Sequence, residues 1–282
     1  MRQALSVRRT LVGSMLRQYR EAQGYKLEEA ARALECDPSK ISRIETGQRG
    51  IRDVDLRKLL IEYGVDMDTQ DVLAAITRPG RGDGWWQDYR KVLPDPYLDF
   101  IVTEGVASRI MVYAPLQMPE LLCTADYAHA VAEADLTVPE GLEESRVQVM
   151  LAHRQSILFN RQPDVMVVIG EAALRQQVGD RVVMREQFAH LAQLSSEHAW
   201  LNIRILPFSA GAHAGGDTGA FSVLHFSALA ELGLVHVSGA SGGICLDDAS
   251  WITAYTKTFI HLSPYALSHG QSLTRFNELA KR

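Results

Sequence analysis

Apolar residues recur at helical spacing almost from the start of the chain. Leu11, Met15, Leu16 and Tyr19 share one face of a predicted helix that Gly24 stops, glycine being the residue best suited to the left-handed turn that ends a helix. Leu27, Ala30, Ala31 and Leu34 make a second short stripe, interrupted at Glu35-Cys36-Asp37. A third helix is predicted over Pro38–Glu45, with Asp37 as N-cap and proline at the first helical position, where its missing N–H is no loss. Gly47 and Gly50 break the chain again. Residues 53–63, with Val54, Leu56, Leu59 and Leu60 apolar, predict a fourth helix, and a further one is expected around 71–76.

Residues 77–84 read Thr-Arg-Pro-Gly-Arg-Gly-Asp-Gly, a run without apolar side chains that marks a linker. It divides the chain into a helical head, residues 1–76, and a body, residues 85–282. In the body, helical patterns at 85–92, 121–134, 142–159 and 185–198 alternate with strand-like runs at 109–113, 165–169, 202–206, 220–226 and 232–237. Two more helices, at about 250–262 and 272–281, finish the chain. The alternation predicts an α/β or α+β domain with a mixed sheet behind an α-helical head.

Composition narrows the classes. The chain has 282 residues, 46% apolar and 22% charged with both signs mixed, as in an ordinary globular protein of one or two domains. No apolar run reaches the length of a membrane span, and the first residues lack the apolar core of a secretion signal, so a cytoplasmic location without membrane contact is expected. Cys36, Cys123 and Cys245 are odd in number and far apart, which suggests neither a disulfide framework nor a zinc site. The net charge of -5 hides an asymmetry: residues 1–64 hold 13 Lys and Arg against 9 Asp and Glu, leaving 16 against 25 in the remainder. A modestly basic head is thus joined to an acidic body, a distribution that fits a nucleic-acid-binding module on a larger domain.

The pattern within the head sharpens this. Two short helices joined by a tight turn, the second capped by Asp-Pro, form the outline of a helix-turn-helix. Ile41 and Ile44 are placed to face the core, while Ser39, Lys40, Ser42 and Arg43 point outward, as hydroxyls and cations do on a helix laid in the major groove. Arg20-Glu21-x-x-Gly24, Leu27-Glu28-Glu29-Ala30-Ala31 and Ile41-Ser42-Arg43-Ile44-Glu45-x-Gly47 resemble the phage-repressor-type (Xre) DNA-binding domain over about the first quarter of the chain. The resemblance implies a structural ion pair between Arg20 and Glu45, base reading by Ser39, Lys40 and Arg43, and phosphate clamping by Gln48 and Arg49 in the following loop. Pro38, Lys26 and Leu27 depart from the family pattern, so no operator sequence carries over. Arg8, Arg9 and Arg17 are further candidates for phosphate contact.

Catalytic and metal signals are weaker. Gly239-Ala240-Ser241-Gly242-Gly243 matches the hydrolase elbow G-x-S-x-G, with Asp247, Asp248, His261 and His269 following, but no clear helix begins after Ser241. The Gly-spaced run 211–218 puts Asp217 where a phosphate loop needs lysine. His190 and His198 lie eight apart without a third ligand, and Trp85, Trp86 and Tyr89 read as a packed aromatic stripe. Met150, Leu151, Ile157 and Leu158 read as packing or a subunit interface. No enzyme activity, metal or cofactor is expected.

Glu104 with Ala107 and Ile110, Glu120-Leu121-Leu122-Cys123-Thr124-x-x-Tyr127-Ala128, His153-Arg154-Gln155, Ile169-x-Glu171-Ala172-Ala173-Leu174-Arg175, Leu206-Pro207-Phe208 and Gly219-x-Phe221 resemble the C-terminal domain of actinobacterial Xre-type regulators. That resemblance implies a sensing or protein-interaction role. The expected function is a sequence-specific, dimeric transcriptional regulator, nucleoid-associated, whose body dimerises and receives a ligand or partner signal. Its expected partners are double-stranded DNA, a second copy of the chain and a small partner protein. A second reading makes the body the centre, an antitoxin-like or scaffold protein that sequesters a small partner, with DNA binding serving autoregulation.

Overall fold

The stripes of the head close on one another as five helices: α1 (Val7–Ala22), α2 (Leu27–Ala33), α3 (Pro38–Glu45), α4 (Asp53–Glu62) and α5 (Met67–Thr77). The structure is a computed structural model that describes residues 7–77, 95–226, 229–239 and 242–282. Leu11, Met15 and Leu16 of α1 are buried with Ala30, Ala31, Ile41, Ile44, Leu56, Leu60 and Leu73 in one core. Two features set the α1–α3 approach. A Cβ on Gly13 would collide with the backbone carbonyls of Ile44 and Glu45, so glycine is what lets the helices touch. Gly47, at φ +71°, turns the chain out of α3 so close to Thr10 that a Cβ would lie 2.9 Å from the Thr10 Cα, and that φ is one that side-chain-bearing residues adopt at a cost. The α2–α3 turn passes through Glu35 in the left-handed region at φ +50°. Val54, expected on the apolar stripe of α4, is instead 75% exposed.

The first described element of the body is α6 (Asp95–Glu104), a helix that periodicity did not reveal. Its residues from Tyr97 to Glu104 are all buried, because α1 of the head and the body's sheet and helices enclose it, so no polar stripe marks an outer face. The other elements are β1 (Arg109–Ala114), α7 (Ala125–Ala134), α8 (Glu143–Arg154), β2 (Asp164–Gly170), α9 (Glu171–Arg175), α10 (Arg181–Glu197), β3 (Leu201–Leu206), β4 (Phe221–Phe226), β5 (Leu229–Val237), β6 (Ile244–Leu246), α11 (Ala249–Leu262) and α12 (His269–Leu279). A π-helical segment, Gln155–Arg161, extends α8 and ends at Gln162 in the left-handed region. The linker after Thr77, the predicted helix at 85–92 with Trp85, Trp86 and Tyr89, and Ser241 lie outside the described residues.

The six strands form one mixed sheet in the order β3-β2-β1-β4-β5-β6. The first three run parallel, linked by α7–α8 and α9–α10, because parallel neighbours need long crossovers. The β1–β4, β4–β5 and β5–β6 pairs are antiparallel. Alternation along the strands separates two faces. Ile110, Val112, Val165, Val167 and Leu224 join the core shared with α6, α8, α10 and α12, whereas Met111, Tyr113, Val168, Phe221 and Val223 pack on Ile252, Phe259 and Leu262 of α11. Helices therefore cover both faces, as a partly parallel sheet requires.

Candidate nucleic-acid interface

The interface is built on α3. Asp37 caps it, its Oδ1 accepting the Ser39 backbone N–H at 2.8 Å, and Pro38 occupies the first turn. Ile41, Ile44 and Glu45 face inward, and this sets the rotation of the helix. Ser39 and Arg43 are exposed on the opposite face, and Gln48 and Arg49 are exposed on the loop that follows. Arg43 lies along its own helix, Nε donating to the Ser39 carbonyl at 3.2 Å. A second, longer bond runs from Nη2 to the Ser39 hydroxyl at 3.4 Å, and both are solvent-accessible, so the guanidinium can leave the helix surface at little cost. The Arg49 N–H donates to the Arg43 carbonyl at 2.9 Å, tying the loop back to the helix.

Not every candidate is presented alike. The Lys40 ammonium is half-buried and sits 3.7 Å from Asp55 of α4, which also pairs with Arg52, so part of its charge is compensated within the head. Ser42 is half-buried, its carbonyl accepting the Thr46 hydroxyl at 2.9 Å. Arg8 is turned away from the interface: its Nε is 2.7 Å from Asp99 of α6, in a largely buried pair that joins head to body. Arg17 pairs with Glu21 on the surface at 2.8 Å. Arg9 is exposed, and its Nε lies 3.7 Å from where a Gly50 side chain would begin, beside the loop that carries Arg49. Sequence reading had no signal for Asp55 and Asp99, because each meets its cation only through the fold.

Arg20 and Glu45 are joined by two charge-assisted hydrogen bonds, Nε to Oε1 at 2.7 Å and Nη2 to Oε2 at 2.9 Å, and Arg20 Nη1 donates to the Tyr25 carbonyl at 2.7 Å. This fork–fork geometry clamps the end of α1 to the end of α3. The Glu45 contact raises the guanidinium's already high pKa further. Neither group is presented to a ligand.

In the body, Asp248 caps α11 and His269 Nε2 bonds the Ser195 carbonyl at 3.1 Å. His198 stacks on Trp200, with ring centroids 5.0 Å apart, while burial and the nearby Arg154 push the His190 pKa down to about 4. Each of these histidines thus has its own packing environment. Met150, Ile157 and Leu158 are buried in the core. No helix among the described residues is long and apolar enough to cross a membrane.

Two family models match the chain. Residues 11–73 match the model of a helix-turn-helix domain, the type of module that binds DNA, and residues 97–278 match a domain of unknown function, DUF5753. No curated protein and no solved structure matches the chain significantly. The second match covers well over half of the 282 residues, so the chain belongs to the DUF5753 family, with a helix-turn-helix domain in front.

Proposed function

We propose that the protein is a sequence-specific transcriptional regulator of the Xre type that lays α3 in the major groove of double-stranded DNA. The observation that carries this is the capped α3 with Ile41, Ile44 and Glu45 inward and Ser39, Arg43, Gln48 and Arg49 outward. Arg43 reads bases, Ser39 and Lys40 assist from the first turn, and Gln48 and Arg49 clamp phosphate, with Arg9 beside them. The body dimerises the protein and receives a small-molecule or protein signal. Exposed Val54 and Ile61, two turns apart on α4, with Met67 at the start of α5, support a second copy packing on the head. The Arg8–Asp99 pair supports communication, since it ties the DNA-binding helices to α6.

The test is selection of duplexes from a random library, followed by titration of the wild type, Arg43→Ala and Arg49→Ala at several salt concentrations. Arg43→Ala is expected to lose about 1–3 kcal/mol of preference for the selected duplex over a scrambled one. Arg49→Ala is expected to weaken both duplexes alike and to lower the salt slope by about one unit. No enriched duplex, or both variants behaving as wild type, would refute the assignment.

A further inference from the structure

The helix that meets the head also lines a cavity. At the carboxyl end of β1, where the parallel half of the sheet meets the antiparallel half, α6 presents Tyr97, Phe100 and Glu104 to a space of about 360 Å³. Crevices outside the carboxyl ends of parallel strands are where open α/β sheets tend to bind ligands. Two neighbouring cavities of about 600 and 260 Å³ share Glu120 and Ser238 with it, so the three meet around one carboxylate.

That carboxylate is held in place. Glu120 stands on a short 3-10 turn, Glu120–Leu122, and accepts the Tyr97 hydroxyl proton and one Arg146 N–H. The Arg146 guanidinium lies 5.1 Å from the centre of the Tyr97 ring. The Glu120 side chain nonetheless remains 34% exposed, which leaves lone pairs facing the cavity. Deeper in, His153 Nε2 and Glu104 Oε2 are 2.5 Å apart and both side chains are buried. His236 stacks on Phe100 with centroids 4.3 Å apart and donates from Nε2 to the Gly242 carbonyl at 2.9 Å, fixing that wall.

The charge balance selects the ligand. Among the described residues, the three cavities are lined by the carboxylates of Glu104, Glu120 and Asp135 and by one cationic side chain of the Lys or Arg type, Arg146. Arg146 is already committed to Glu120 and to the Tyr97 ring. Three carboxylates against one Lys or Arg leave the described lining net negative even with Glu120 and Arg146 offsetting each other, so an anion entering here would meet no uncommitted Lys or Arg among the described residues. A cation would find acceptor oxygens and the rings of Tyr97 and Phe100 on the cavity wall. Val112, Leu116 and Met118 supply apolar wall for the rest of the molecule.

We propose that this cavity binds a small organic cation, an amine carried on an apolar or aromatic body, with Glu120 as its charged anchor. The proposal rests on the reading that the body receives a small-molecule signal, and it adds the site and the chemical class.

The test uses the full chain, calorimetric titration and thermal shift, with 2-phenylethylamine as the probe and 3-phenylpropionate and 2-phenylethanol as matched anionic and neutral controls. The amine is expected to bind saturably and raise Tm, and the carboxylate is not. Glu120→Gln, which keeps an acceptor for Tyr97, is expected to weaken the amine about 10- to 100-fold, the worth of a hydrogen bond to a charged group. Because Glu120→Gln leaves Arg146 without its counter-charge and risks the fold, Ser222→Leu is the second variant. Ser222 lines the cavity opposite Val112 and His236 in the sheet, so leucine there fills the space and is expected to abolish binding in a protein that still melts cooperatively. Equal or tighter binding of the carboxylate, no binding of the amine, or amine binding untouched by both variants overturns the proposal. DNA affinity is measured on the same preparations with and without amine. Amine binding without any change in DNA affinity supports the site and refutes its role as a signal. DNA binding that persists in a protein that ignores the amine refutes the site and leaves the DNA-binding reading intact.

Discussion

Removing the carboxylate of Glu45 should unfasten the head. The side chains of Arg20 and Glu45 are only 8% and 5% exposed, so water does little to compensate either charge when the other is lost. Glu45→Ala leaves the guanidinium with the Tyr25 carbonyl and a 3.3 Å contact to exposed Glu21. Breaking a buried pair from one side typically costs about 3–5 kcal/mol, and the Glu21 contact argues for the lower end, about 3 kcal/mol. Replacing both partners, Arg20→Met with Glu45→Leu, removes the buried charges together and is expected to cost less than about 1 kcal/mol beyond changes in packing. All four tryptophans lie outside residues 1–77, so in urea unfolding circular dichroism reports the helices of head and body together while tryptophan fluorescence reports the rest of the chain, and a circular-dichroism transition without a fluorescence counterpart belongs to the head. Glu45→Ala should shift an early circular-dichroism transition and weaken DNA binding, whereas Arg43→Ala should weaken DNA binding at unchanged stability. The reasoning is refuted if Glu45→Ala lies within about 1 kcal/mol of wild type, or if the double variant costs as much as the two single variants added.

Three further outcomes are expected. Gly47→Ala must hold φ +71° with its new Cβ 2.9 Å from Thr10, so it should cost about 2 kcal/mol or more. Gly24→Ala, at the same φ with open space around it, should cost about 1 kcal/mol, and equal losses in denaturant titrations would contradict the close-approach argument. His190 stays neutral in the folded protein down to about pH 4 while an unfolded histidine takes its proton near 6.5. Its contribution is therefore intact above pH 6.5 and lost as pH falls towards 4; about 1 kcal/mol of this acid sensitivity, allowing for the water that reaches the ring, should vanish in His190→Phe. Ile61→Glu on the exposed face of α4 should weaken dimerisation, moving the monomer–dimer transition seen by light scattering to higher protein concentration, and an unchanged transition would remove α4 from the interface.

The head was legible in the sequence because each of its determinants is local. The spacing of Leu11, Met15 and Leu16, the Asp37-Pro38 cap, the Ile41–Ile44 pair and the Gly47 stop act within one or two helical turns, so periodicity and turn chemistry placed α1 to α4 within a few residues. Five of the body's six strands were legible for the same reason, and their alternation with helices implied a mixed sheet; β6, three residues long, is too short to show an alternation and went unmarked. Tertiary structure alone decided the rest. α6 had no signature because it is enclosed on every side, and a fully enclosed helix loses the amphipathic stripe by which helices are recognised. Its burial in turn draws Arg8 to Asp99 and away from any phosphate, and gathers Glu104, Glu120, Arg146 and His153 around three adjoining cavities from positions up to 49 residues apart. Local sequence encodes which helices and strands form. Which charges they bring together depends on how those elements pack, and that is a property of the whole chain.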